Sequence, residues 1–180
     1  MDPEQERVAR AARGDEDAFQ VLWRGHRDAV YSFACWILQD CAAAEDVVQE
    51  CFVALLEHPG RFDSARASLR TFLLAIARNS CRNRWRKLAA EVALEDRNAG
   101  YDPQTLDGLA AGETTAILNA AVSNLPPLQR EALFLAEYEG LGLEEAAGVA
   151  GVGVGTLKAR LHRGRERLKR ELAWLVKEGF

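Results

Sequence analysis

Residues 125–172 read LPPLQREALFLAEYEGLGLEEAAGVAGVGVGTLKARLHRGRERLKREL, and this stretch restricts the fold more than any other in the chain. An apolar helical pattern on Leu143, Ala146 and Ala147 runs into a glycine-rich turn and then into a helix crowded with basic residues. That order is the layout of a helix-turn-helix, whose second helix enters the DNA major groove. At 3.6 residues per turn, Leu157, Leu161, Gly164 and Leu168 share one side of the second helix. Ala159, His162, Arg163 and Arg170 share the other. One side is built to pack on its own domain and the other to face nucleic acid.

Helical periodicity governs the rest of the chain too, with no strand alternation and no hairpin signal, so the expected fold class is all-α. A short helix is predicted over 3–13, closed by Gly14. Asp15 caps the next, which carries Phe19, Leu22, Trp23, Val30, Tyr31, Phe33 and Ile37. Asp40 caps a third helix through Glu57, ended by His58-Pro59-Gly60, and Ser64 or Ser68 opens a fourth that runs to about Lys87. Residues 88–115 lose the periodicity and hold six acids against the single base Arg97, as a flexible acidic linker would. A helix over 115–123, the break at Leu125-Pro126-Pro127, a helix to Glu139 and the helix-turn-helix pair follow. The architecture predicted is two small helical domains on a tether.

The net charge of −4 looks wrong for a DNA binder until it is mapped along the chain. Residues 61–87 hold eight basic side chains and one acid, and residues 156–170 hold seven against Glu166. Two such blocks in an otherwise acidic chain attract phosphate whatever the overall sign. Within 180 residues no segment approaches the roughly 18 to 20 apolar residues of a membrane span. The acidic start MDPEQERVARAARGDEDAF is unlike a signal peptide, and a cytoplasmic protein is expected.

Other chemistry finds little support. The cysteines Cys35, Cys41, Cys51 and Cys81 form no C-x-x-C pair and have no histidine at zinc spacing, so buried, reduced thiols are expected. Asp46 and Glu50 lie one helical turn apart, yet no histidine or third carboxylate joins them at ligand spacing. No nucleophile motif is present, and the GVGVG run follows a helix rather than a strand, so it is no dinucleotide fingerprint. Neither catalysis nor a metal or cofactor is expected.

The C-terminal stretch resembles the −35-binding domain (region 4) of bacterial RNA polymerase sigma factors. The resemblance rests on Leu125-Pro126-Pro127, Gln129-Arg130-Glu131, Tyr138-Glu139-Gly140-Leu141, Val154-Gly155-Thr156 and Arg160-Leu161-His162-Arg163. The first half carries the companion pattern of region 2. Residues 44–52, AEDVVQECF, look like the family's polymerase-docking helix, and residues 72–79, FLLAIARN, like the helix that meets the −10 element. With two motifs in order and no further regions, the chain is most similar to the extracytoplasmic-function (ECF) branch of the sigma-70 family. That resemblance implies a region 2-like domain over 1–87, a linker over 88–114 and a region 4-like domain over 115–180. The partners it implies are core RNA polymerase, through the β′ clamp helices and the β flap, promoter DNA and an anti-sigma factor. Gly142 and Gly153 stand where the family often has Ser, and Phe72 where Trp is common.

Site residues follow from helix faces combined with that resemblance. On the 41–57 helix, Ala44, Val47, Val48, Cys51 and Leu55 form a buried stripe, while Asp46, Gln49, Glu50 and Val53 project as the surface for the β′ clamp helices. On the fourth helix, Leu69, Phe72, Leu73 and Ile76 are expected to pack. Arg78, Arg82 and Trp85 oppose them, the arginines suited to phosphates and Trp85 either to a stacked base or to packing against a neighbouring helix, which spacing alone does not separate, and Asn79 matches the family position near an extruded base. Arg61, Phe62 and Arg66 form a candidate pocket for that base. On the recognition helix, Lys158, Ala159, His162 and Arg163 are base-edge candidates, and Thr156, Arg160, Arg165 and Arg167 are phosphate contacts. The acidic linker mimics nucleic acid and is expected to thread the polymerase's positively charged channel. A DNA-binding regulator that never joins polymerase would leave the first domain unexplained.

Overall fold

The computed structural model describes residues 2–95 and 113–173, with the side chains of 88–95 and 113–116 excepted. The chain divides into two compact units, Met1–Asn98 and Ala99–Phe180. Every regular element among the described residues is helical.

The first unit contains α1 (Pro3–Ala12), α2 (Glu16–Leu38), α3 (Cys41–Glu57) and α4 (Leu69–Glu95), with a single 3₁₀ turn at Pro59–Arg61 before α4. Carboxylates open the first three helices. Asp2 accepts from the Glu4 amide at 2.9 Å, Asp15 from Ala18 at 3.0 Å and Asp40 from Ala43 at 3.0 Å. Each satisfies an amide that the helix itself leaves unpaired, a contribution of about 1 kcal/mol. Of the two candidate serines, Ser68 opens α4, its hydroxyl accepting from the Thr71 amide at 3.1 Å. Glu4 accepts from the Leu69 amide at 3.2 Å and so ties α1 to the start of α4.

Helix α2 is the centre of this unit and packs on α1, α3 and α4. Its Leu22, Val30 and Phe33, with Val47, Cys51 and Leu55 of α3 and Leu69, Leu73 and Leu74 of α4, are enclosed in the core of this unit. Burying each large side chain stabilises by roughly 1.5–3 kcal/mol. Phe52 extends this core, its ring centroid 6.0 Å from Phe19 and 4.8 Å from Trp23.

Two features of α4 differ from expectation. Its buried stripe is Leu69, Leu73, Leu74, Ala77 and Cys81, whereas Phe72 and Ile76 are only half-buried. Small Ala and Cys side chains let α3 and α4 approach closely, and Cys51 Sγ lies 3.9 Å from the Leu73 carbonyl oxygen. The helix also continues past Lys87 to Glu95, because the sequence LAAEVALE is composed mostly of strong helix formers. The start of the expected linker is thus helical. Its residues 96–112, and with them the expected channel contact, lie outside the described residues.

The second unit contains α5 (Glu113–Ser123), α6 (Pro127–Leu133) continued by a wide π turn over Phe134–Tyr138, α7 (Leu143–Ala150) and α8 (Val154–Glu171). Pro127 sits in the first turn of α6, where its missing N–H removes nothing. Gly151 ends α7 in the left-handed region, at φ +62°. Its amide bonds back to the Gly148 carbonyl at 3.2 Å and the next amide, of Val152, to Ala147 at 3.1 Å. Leu125, Leu133, Phe134, Leu135, Ala146, Val149, Ala150, Leu157 and Leu161 form the core. No helix among the described residues is long and apolar enough to cross a membrane.

Candidate nucleic-acid interface

Helix α8 takes its orientation from one buried face. Leu157 and Leu161 are enclosed, and Gly164 meets α6 so closely that an added Cβ would lie 2.9 Å from Leu133 Cδ1. Burying that face turns Lys158, Ala159, His162, Arg163 and Arg167 outward, and all five are exposed, as is Thr156. Arg163 lies along its own helix, its Nε donating to the Ala159 carbonyl at 3.2 Å.

Arg160 departs from its expected place among the phosphate contacts. Its guanidinium turns inward to the Glu131 carboxylate of α6 at 3.3 Å, with side-chain exposures of 14% and 7% for the pair. A carboxylate held in the core needs a cation beside it, and Arg160 is next to the buried Leu161 and one turn after the buried Leu157. Arg165 is exposed but is drawn to Glu137, its Nε donating at 3.0 Å. The exposed, unengaged basic strip on α8 is accordingly narrower than the count of basic residues suggests. In the sequence, Glu131 is marked only by its motif, although an acid on the packing side of α6 is itself the signal of a buried partner.

In the first unit, α3 divides as its periodicity predicts. Ala44, Val47, Val48, Cys51 and Leu55 are buried, and Asp46, Gln49, Glu50 and Val53 are exposed. Val53 is 50% exposed, an apolar side chain in an acidic surround. The acids are already engaged from α4. Arg84 pairs with Glu50 and lies 3.7 Å from Asp46, and the Ser80 hydroxyl donates to Glu50. Arg84 is therefore part of the α3 surface rather than of the basic strip on α4.

That basic strip is rotated from its expected position. Asn79 and Arg82 are exposed together with Asn83 and Arg86, one turn further along the same face. Asn83 and Arg86 follow Asn79 and Arg82 at i+4, a spacing that marks them in the sequence as part of the same face. Arg78 and Trp85 are half-buried. Arg61 and Arg66 are exposed, but Phe62 is 1% exposed and packs on Phe72 with centroids 5.5 Å apart, so it is a core residue and lines no open pocket.

None of the four cysteines forms a disulfide. Cys35, Cys51 and Cys81 are buried as expected, while Cys41 is half-buried. Burial pushes the Cys35 thiol up to about 12 and raises that of Cys51 as well, with Cys81 adding to the second shift.

Comparison with known proteins agrees with this fold. The description "Sigma-70 region 2" matches residues 22–91, and "Sigma-70, region 4" matches residues 115–168. The ECF RNA polymerase sigma factor SigW of Bacillus subtilis is 29% identical over 178 residues, covering 92% of this chain and 95% of that one. SigC of Mycobacterium tuberculosis, also an ECF RNA polymerase sigma factor, is 34% identical over 162 residues, covering 88% and 85%. Among solved structures, the sigma factor RpoE in complex with the anti-sigma factor NepR from Bartonella quintana has a TM-score of 0.67 at 27% identity, covering 86% and 96%. CnrH in complex with the cytosolic domain of CnrY has a TM-score of 0.66 at 26% identity, covering 99% and 100%. The chain belongs to the sigma-70 family of RNA polymerase sigma factors, in its ECF branch.

Proposed function

We propose that this ECF sigma factor divides promoter recognition between its two units. Helix α3 docks on core RNA polymerase through Asp46, Gln49, Glu50 and Val53. Helix α4 holds the opened −10 strand through Asn79, Arg82, Asn83 and Arg86, with Arg61 and Arg66 nearby in sequence. Helix α8 reads the −35 element through Lys158, Ala159, His162 and Arg163, with Thr156 and Arg167 on phosphates. Arg160 positions α8 through Glu131.

The observation that carries this reading is the division of α8, with Leu157 and Leu161 enclosed and the reading candidates exposed on the other side. An arginine on that outer face matches the bidentate acceptor pair of guanine, worth roughly 1–3 kcal/mol of discrimination. The solved relative bound to an anti-sigma factor supports a partner of that kind for this chain, which would hold it away from polymerase until released.

The experiment is run-off transcription from a genomic library with core polymerase and the full chain. A defined promoter set is expected, and Arg163→Ala should relax preference at one −35 position. Asn79→Ala should spare duplex −35 binding and slow strand opening, read from a fluorescent base in the −10 element. Reversing charge at both Asp46 and Glu50 should weaken co-purification with core polymerase without loss of helical signal. A chain that binds DNA yet never co-purifies with core polymerase would be a stand-alone regulator instead.

A further inference from the structure

Cys35 and Cys41 are six residues apart in sequence but on opposite sides of the turn between α2 and α3. Cys35 lies buried in the last turn of α2, and Cys41 is the half-buried first residue of α3. Between them Gln39 adopts the left-handed conformation at φ 56°, and its side-chain amide donates to the Trp36 carbonyl at 2.8 Å. This reversal brings the two sulfurs to 3.7 Å. The Tyr31 hydroxyl lies beside both of them. Tyr31 also lines a cleft of about 180 Å³ with Trp23, Arg27, Glu45, Val48 and Gln49.

We propose that Cys35 and Cys41 are a dithiol that a hydroperoxide converts reversibly into a disulfide across the α2–α3 turn. The sulfurs need to close from 3.7 Å to the ~2.05 Å of an S–S bond, a movement within reach of side-chain rotation and a slight shift of the turn. The half-exposed sulfur reacts first. Cys41, as thiolate, attacks one peroxide oxygen, the O–O bond breaks, and the sulfenic acid of Cys41 forms as hydroxide leaves and is protonated to water. The Cys35 sulfur then attacks the Cys41 sulfur, giving up its proton, and the S–OH bond breaks to release a second water. Two thiols and one hydrogen peroxide become one disulfide and two waters, with the two electrons from sulfur reducing the O–O bond. Burial of Cys35 keeps it protonated and unreactive toward peroxide itself, which fits it to the resolving step. The other two thiols, Cys51 and Cys81, are 0% and 1% exposed and have no such half-open member. Inside cells, disulfides of this kind form transiently and report oxidant rather than hold the fold.

The chain's aspartates make the test direct. Cleavage before aspartate separates residues 28–39, 40–45 and 46–62, which carry Cys35, Cys41 and Cys51 on different peptides. The reduced full chain is treated with a few equivalents of hydrogen peroxide, alkylated and mapped by mass spectrometry. The expected result is a linked 28–39/40–45 pair, a fall in alkylatable thiols from four to two, and full recovery with dithiothreitol. Cys35→Ser should trap Cys41 as a sulfenic acid that dimedone labels, and Cys51→Ser or Cys81→Ser should leave the link in place. A thiol count that stays at four, linkage to the 46–62 peptide, or conversion of Cys41 to sulfinic acid without a link overturns the proposal, and none of these readings depends on a variant folding.

Discussion

Glu131 and Arg160 join α6 to α8 from within, and their burial decides what a mutation there does. Removing one partner breaks an ion pair in a site with little water, and Glu131→Ala is expected to destabilise the second unit by about 3 kcal/mol. Urea unfolding of the full chain checks this. Arg160→Ala should lower stability similarly, whereas exposed Arg167→Ala should leave stability unchanged and flatten the salt dependence of DNA binding. An Arg160→Ala chain as stable as the original would return that residue to the DNA surface. Gly164 is the steric counterpart of this pair. Gly164→Val would drive a branched side chain into Leu133, and an overpacking cost of about 1–3 kcal/mol is expected in the same unfolding assay.

At the scale of elements, the helix-turn-helix depends on a sharp stop after α7. Gly151 supplies it at a left-handed φ that costs a side-chain-bearing residue roughly 1–2 kcal/mol, so Gly151→Ala should lose about that much stability, while Gly148→Ala, at an open helical position, should not. Elements of this kind were legible because their signals are local: Asp15 and Asp40 as caps, the Pro126-Pro127 break, and the alternation of faces on α3. The α4 face was harder to read. Ala77 and Cys81 carry little hydrophobic weight in a sequence, yet they fill the close contact with α3, while bulkier Phe72 and Ile76 stay half-buried. The continuation to Glu95 is legible only as helix propensity, because residues 88–95 carry strong helix formers without an amphipathic repeat. Pairings across helices, such as Arg84 with Glu50 and Arg160 with Glu131, depend on rotation about each helix axis, which spacing alone does not fix.

For the whole molecule, the buried thiols set an alkaline limit to stability. The folded-state value of Cys35 lies above the ~8.5 of an unfolded thiol, and Cys51 is raised in the same direction. Stability is therefore complete below that unfolded value and is lost as pH rises toward the folded one, since only the unfolded chain can release those protons. Unfolding followed by tryptophan fluorescence between pH 8 and 11 should show this decline, and Cys35→Ala with Cys51→Ala should flatten it. The acidic surface of α3 has a different kind of consequence. Asp46 and Glu50 already hold a cation, so a basic partner that takes them must evict Arg84. Docking there is an exchange of one counter-charge for another, with little net gain of ion pairs. Its affinity should consequently vary only shallowly with ionic strength, and Arg84→Met, by leaving the site vacant, should make that dependence steep.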